Sequence, residues 1–182
     1  MHFKTKKAFQ DLLISSQVDN DSLKTWIIND KLYAISGILS SKIIDFEGRV
    51  IWRNSQYVEV QPNSSTLKFS QDLDAISFDK REVVLVSQFN EVVNHFYFDQ
   101  PKNLKLQTAG IKQEIKSIAD GFSIVLQSNT LQKDVFMYTN TSGRFSDNFF
   151  DILPNSTVEI KFVTTSKTLD DLQLKSFNTF IR

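Results

Sequence analysis

From Leu23 onward the apolar residues recur in short runs, closely spaced, with turn chemistry between them. Six such runs come first: Leu23–Asp30, Gly37–Phe46, Arg49–Val60, Ser65–Ser70, Arg81–Phe89 and Glu91–Asp99. The turn Asp45-Phe46-Glu47-Gly48 contains a glycine that can supply positive φ, so the second and third runs are expected to pair as an antiparallel hairpin. Only Asn90 separates the fifth from the sixth. Six strands in about eighty residues with no convincing helix among them read as a β-sandwich. Trp26 and Trp52 each sit in an apolar strand, and Trp52 reads as a core filler in preference to a sugar platform.

Pro101-Lys102-Asn103 is the expected domain boundary, beyond which the same grammar repeats. Strand-like runs follow at Leu104–Ile118, Phe122–Ser128, Lys133–Thr139, Thr157–Thr164 and Leu174–Arg182. In Thr157–Thr164 the residues Val158, Ile160 and Phe162 share one face, and Glu159 and Lys161 the other. The start of the chain differs. Phe9, Leu12 and Leu13 show weak helical periodicity after Lys4, Lys6 and Lys7, so Met1–Ile14 is expected to be a short helix, followed by the polar connector Gln17–Ser22. The expected fold is all-β: a short N-terminal helical segment and connector over 1–20, then two tandem immunoglobulin-like β-sandwiches over 21–100 and 101–182.

One stretch fits neither period. Arg144–Pro154, RFSDNFFDILP, places Phe145, Phe149, Phe150 and Ile152 around Asp147, Asn148 and Asp151. Phe149 and Phe150 are adjacent and would face opposite ways on a strand. The physical reading is a strand bent by an Asx-type turn, in which Asp147 or Asn148 caps backbone amides. The chemical reading makes Asp147 and Asp151 a metal or acid/base pair, but no His, Cys or third acid stands nearby to complete such a site.

Charge and composition narrow the function classes. The 182 residues carry 21 basic and 21 acidic side chains, which leaves no electrostatic footprint for nucleic acid. No apolar run is long enough to cross a bilayer, so no membrane partner is expected. With no cysteine there is no disulfide, and the core must hold by packing. Sixteen phenylalanines against five glycines and three prolines supply that packing.

The search for chemistry yields no site. His2 lies at the chain start and His95 alternates with aromatics in a strand. No zinc-ligand spacing, phosphate-binding glycine loop or nucleophile elbow occurs. Asp19, Asp21, Asp170 and Asp171 fall in polar connectors that read as solvated turns, not calcium ligands. The expectation is no catalytic, cofactor-binding or metal residue. Tyr33, Tyr57, Tyr97 and Tyr138 suit half-exposed places from which a ring can stack on a sugar, though ordinary cross-strand packing explains each. The triplets at Asn63, Asn140 and Asn155 match the glycosylation pattern and carry little weight in a chain rich in Asn and Ser.

Arg144–Pro154 resembles the signature near the end of β-mannosidases of glycoside hydrolase family 2, in the last of their immunoglobulin-like domains. Asn155 departs from the pattern, which has glycine there; asparagine tolerates left-handed backbone and can keep the turn. WIINDKLYAISGILSSKIIDFEGRVIW, residues 26–52, is similar to the first accessory immunoglobulin-like domain of the same enzymes. There an Asn-Asp closes the first strand and an Asp-x-x-Gly turn makes a hairpin, as Asn29-Asp30 and Asp45 to Gly48 do here. FKTKKAFQDLLI, residues 3–14, resembles the segment where the catalytic barrel ends, without the proline that often follows it. The resemblance implies a non-catalytic C-terminal accessory region of a retaining glycosidase that releases terminal β-mannosyl residues. Its partner would be the barrel of the same polypeptide, its setting secreted, periplasmic or lysosomal. Retaining glycosidases use two carboxylates about 5–5.5 Å apart beside a sugar cleft. In this family both lie on the barrel, for which this chain has no alternating βα pattern. The competing reading is a free-standing carbohydrate-binding or adhesion module, with two or three coplanar exposed aromatics that contact mannose-containing glycans. An enzyme in its own right would need a deep pocket with paired acids of shifted pKa.

Overall fold

The computed structural model describes residues 10–180. They divide into two compact units, one holding residues 10–45 and 49–105, the other residues 46–48 and 106–180. In each, two sheets of antiparallel strands enclose an apolar core.

The first unit contains β1 (Leu12–Asp19), β2 (Ser22–Asn29), β3 (Ile35–Asp45), β4 (Val50–Val60), β5 (Ser64–Asp72), β6 (Val83–Phe89) and β7 (Val92–Tyr97). One sheet has the order β1-β2-β5, the other β4-β3-β6-β7. Strict alternation turns Leu23, Ile27, Leu39, Ile43 and Val58 inward. There they meet Val60, Leu85 and Phe89, all fully or almost fully removed from water. Trp52 is half-buried against this core, its ring centroid 5.8 Å from that of Phe69. Packing alone stands where an inter-sheet disulfide would otherwise sit. The β3–β4 hairpin forms as its sequence predicts: Gly48 takes φ +96°, and the Arg49 amide donates to Asp45 Oδ1 at 2.8 Å. Asn90, at φ +51°, turns β6 into β7.

The expected N-terminal helix is corrected over its described part. Met1–Phe9, with His2 and the three lysines, lie outside the described residues, but Leu12–Ile14 begin β1. This strand pairs with β2 rung by rung, from Leu12 opposite Asn29 to Asp19 opposite Ser22. Ile14 enters the core. A short helix is marginal in water, and ladder bonds plus burial outweigh a weak 3.6-residue period. The connector Gln17–Ser22 shrinks to a tight turn at Asn20 and Asp21, both at positive φ, as a two-residue hairpin of type I′ requires.

A single 3-10 turn, Pro101–Asn103, leads to the second unit. It contains β8 (Lys112–Ile118), β9 (Gly121–Ser128), β10 (Gln132–Tyr138), β11 (Arg144–Phe145), β12 (Phe150–Ile152), β13 (Ser156–Val163) and β14 (Gln173–Lys175). The sheets are β11-β13-β9-β8 and β12-β10-β14. Phe122, Ile124 and Leu126 from β9, Ile160 and Phe162 from β13, and Val135 and Met137 from β10 form the core, with Val158 packed against it. Strand structure over the long run Leu104–Ile118 is confined to β8.

The C-terminal strand is also corrected. Ordered pairing covers Gln173–Lys175, and Phe177–Thr179 is a 3-10 turn; Ile181 and Arg182 lie outside the described residues. The cause is Asn178, which lies in the middle of the expected strand run Leu174–Arg182. Its buried carboxamide donates to the carbonyls of Gln107 and Leu131, 2.8 Å each, and accepts from the Lys133 amide at 2.9 Å. Three hydrogen bonds hold the polar side chain in and turn Phe180 out to solvent.

Candidate functional site

The stretch Arg144–Pro154 is bent, and the bend is built by its short polar side chains. β11 ends at Phe145 and β12 begins at Phe150. Between them Asp147 Oδ1 accepts the Asn148 amide at 2.8 Å. The buried Asn148 carboxamide faces β10: Oδ1 accepts the Met137 amide and Nδ2 donates to the Met137 carbonyl, both at 2.8 Å. One side chain thus completes a strand where the backbone has turned away. Asp151 Oδ1 accepts the Asp134 amide at 2.9 Å, inside an irregularity of β10 between Gln132 and Val135. Both acids bind backbone amides, which is the bent-strand reading of this stretch. Among the described residues no group of three His, Cys, Asp or Glu side chains could hold a metal ion.

The bend has a further product that the sequence reading missed. Phe149 sits at φ +60°, a position an L-phenylalanine rarely takes, and its amide donates to the Val135 carbonyl. Its ring stacks on Phe136, centroids 4.8 Å apart, and Phe136 stacks on Tyr138 at 5.9 Å. The interplanar angles are 27° and 21°. Lys175 Nζ stands 5.7 Å from the Tyr138 centroid. Phe136 and Tyr138 alternate with the buried Val135 and Met137, so the row lies on the outer face of the sheet. The i, i+2 spacing of Phe136 and Tyr138 was the available signal.

The other candidates separate. Tyr33 and Tyr57 are exposed on the first unit; Tyr97 and His95 are half-buried on β7. Asp19 pairs with Lys24 at 2.6 Å, and Asp21 with Lys80 at 3.3 Å. Asp170 Oδ2 accepts from the Thr168 hydroxyl, and Asp171 occupies a turn at φ +56°. Among the described residues the carboxylates with displaced titration are Asp79 and Asp99, both half-buried at the surface. Arg81 grips Asp79 through Nε (3.0 Å), Nη2 (2.8 Å) and its own amide (2.9 Å), and Lys105 adds a contact at 3.0 Å. Together they hold the Asp79 carboxyl far below its usual range. Hydrogen bonds from Asn103 and the Gln100 amide lower Asp99. This is a surface ion network. An open depression in the second unit, at the β8–β9 turn and the loop after β13, is lined by Asp120, Ser142, Thr164 and Ser166 and offers no acid pair.

Comparison with known proteins follows this geometry closely. Residues 21–103 match the family described as the mannosidase Ig/CBM-like domain, and residues 106–178 the mannosidase Ig-fold domain. No curated protein matches. Among solved structures, the β-D-mannosidase of Dictyoglomus thermophilum superposes with a TM-score of 0.83 at 24% identity, over 97% of this chain and 23% of that one. The exo-chitosanase CsxA of Amycolatopsis orientalis gives a TM-score of 0.63 at 15% identity, over 97% of this chain and 26% of that one. The chain therefore spans about a quarter of the length of the solved enzymes it matches, and at these identities the likeness is one of fold. The resemblance carried by residues 26–52 and 144–154 falls inside the two matched families. Through both halves, the chain belongs to the immunoglobulin-like domains of mannosidases.

Proposed function

We propose that this chain is the non-catalytic C-terminal accessory region of a β-mannosidase of glycoside hydrolase family 2, divided into two domains at Pro101–Asn103. The observation that carries the reading is order: two different mannosidase-type immunoglobulin domains follow one another and occupy residues 21–103 and 106–178. In the parent enzyme a barrel would carry the acid and the nucleophile and release terminal β-mannosyl residues with retention. This chain would contribute packing against the barrel. The test is hydrolysis of a chromogenic β-mannoside by the native protein. Turnover that is lost on mutating glutamates outside residues 1–182, and untouched by Asp147→Asn or Asp151→Asn, is the expected result. A native protein inactive on β-mannosides overturns the β-mannosidase assignment.

A second reading, a free-standing carbohydrate-binding module, is favoured by the row Phe149, Phe136 and Tyr138. Flat rings attract the apolar face of a pyranose, and Lys175 beside them offers a hydrogen-bond donor. Titration with mannan oligosaccharides tests it: saturable binding abolished by Tyr138→Ala supports it, and no binding ends it.

A further inference from the structure

The first unit holds large apolar side chains in water at one of its ends. Leu32 is 86% exposed and Tyr33 61%, in the loop between β2 and β3. Ile38 (61%) and Tyr57 (70%) are direct cross-strand partners on β3 and β4. Their neighbours Leu39 and Val58 are buried, so Ile38 and Tyr57 project from the opposite face of the sheet. All four lie where β2 ends, β3 begins and β4 approaches its own end at Val60.

The loop is held in place. Asn29, fully buried, donates Nδ2 to the carbonyls of Tyr33 (3.0 Å), Val60 (3.3 Å) and Gln61 (3.1 Å), and its Oδ1 accepts the Lys31 amide at 3.1 Å. Such a clamp removes the freedom by which Leu32 and Tyr33 could fold back on the sandwich. Exposed apolar area contributes nothing to this unit's own stability, and clustered exposed apolar residues mark a contact surface. Leu32 and Ile38 are aliphatic and give a sugar no aromatic face, so the chemistry suits an apolar protein surface.

The chain path indicates which one. The Asp30 amide donates to the Asp11 carbonyl at 2.8 Å, and Leu12 pairs with Asn29. The described chain therefore enters this unit at Asp11, next to the loop that carries Leu32 and Tyr33, and a domain joined ahead of β1 would be tethered at this end. We propose that Leu32, Tyr33, Ile38 and Tyr57 form the seat for an apolar surface of the catalytic domain that precedes them in the parent enzyme. The inference rests on the accessory-region reading above.

The experiment uses the native full-length protein and two double variants, Leu32→Ser with Tyr33→Ser, and Ile38→Ser with Tyr57→Ser. The readouts are the rate at which a protease separates the catalytic domain from β1 and the thermal transition of the catalytic domain. Each double variant is expected to speed separation roughly tenfold and to lower that transition. Leu67→Ser, exposed on β5, is expected to leave both unchanged. Circular dichroism of each variant must keep the β signature, which separates undocking from unfolding. Unchanged separation in a protein that does carry a catalytic domain overturns the seat and spares the accessory reading. An equal effect of Leu67→Ser also overturns it. A native protein with no catalytic domain overturns both together, and oligosaccharide binding lost in the Tyr33 and Tyr57 variants without undocking reassigns the surface to glycan.

Discussion

The carboxamide of Asn148 satisfies both backbone polar groups of Met137, accepting from its amide and donating to its carbonyl at 2.8 Å each. Asn148 thereby stands in for a strand residue where Arg144–Pro154 leaves the sheet. Replacement by leucine leaves a buried N–H and a buried C=O without partners, each costing about 1–3 kcal/mol. Asn148→Leu is expected to destabilise the second unit by about 3 kcal/mol, read from the midpoint of urea unfolding at unchanged slope. A loss under about 1 kcal/mol would mean that the pairing is dispensable.

Phe149 supplies a test with an inverted sign. At φ +60° any residue with a Cβ is strained by about 1–2 kcal/mol, and glycine is not. At an ordinary strand position alanine is the more stable of the two replacements. Here Phe149→Gly is expected to be more stable than Phe149→Ala by about 1 kcal/mol, with both below wild type because stacking on Phe136 is lost. Thermal unfolding of the pair decides it; alanine above glycine contradicts the backbone geometry.

Gly121 opens β9 at φ +143°, and a Cβ there would collide with the Phe162 carbonyl of the paired β13. Backbone cannot yield as a flexible side chain can. Gly121→Ala is expected to cost about 2 kcal/mol or more in urea unfolding, through strain and a displaced ladder.

Acid response should report Asp79. Its folded-state pKa lies below the unfolded one, because Arg81 and Lys105 favour the carboxylate. The stabilisation is therefore complete above the ordinary aspartate range, near pH 4, and is lost as pH falls through the depressed value. The network lies at the surface and is partly exposed, so salt should weaken it. Asp79→Asn is expected to flatten the acid limb of the stability curve at low ionic strength and to change little in 1 M salt. An identical acid limb in both proteins contradicts the pairing.

Much of this fold was legible because its strands obey a local rule. Val158, Ile160 and Phe162 alternate in sequence and point into the core, and the Gly48 hairpin and the Asn90 turn form where the sequence places them. What failed was decided at long range. Leu12–Ile14 has no clean period, and its pairing with Asn29 through Ile27 is what makes it a strand. Leu174–Arg182 read as one strand, and the partners that hold Asn178 inside and end it early, Gln107, Leu131 and Lys133, lie far away in sequence. In Arg144–Pro154 a cap at Asp147 or Asn148 was readable from residue type, but the backbone partner of Asn148 lies eleven positions away on β10, and the cap made by Asp151 was not foreseen. Of the exposed group, Tyr33 and Tyr57 were candidates for half-exposed places by residue type, but Leu32 and Ile38 had no sequence signal, since exposure of an aliphatic residue is a property of the assembled end of a sandwich.

The most direct test of the account is the mass of the native protein as its own cell makes it, with the reading frame ahead of Met1. A product several hundred residues longer, with a barrel that carries two glutamates at strand ends, is the predicted result. A native protein that begins at Met1 would contradict the accessory-region reading and leave glycan binding as the function to pursue.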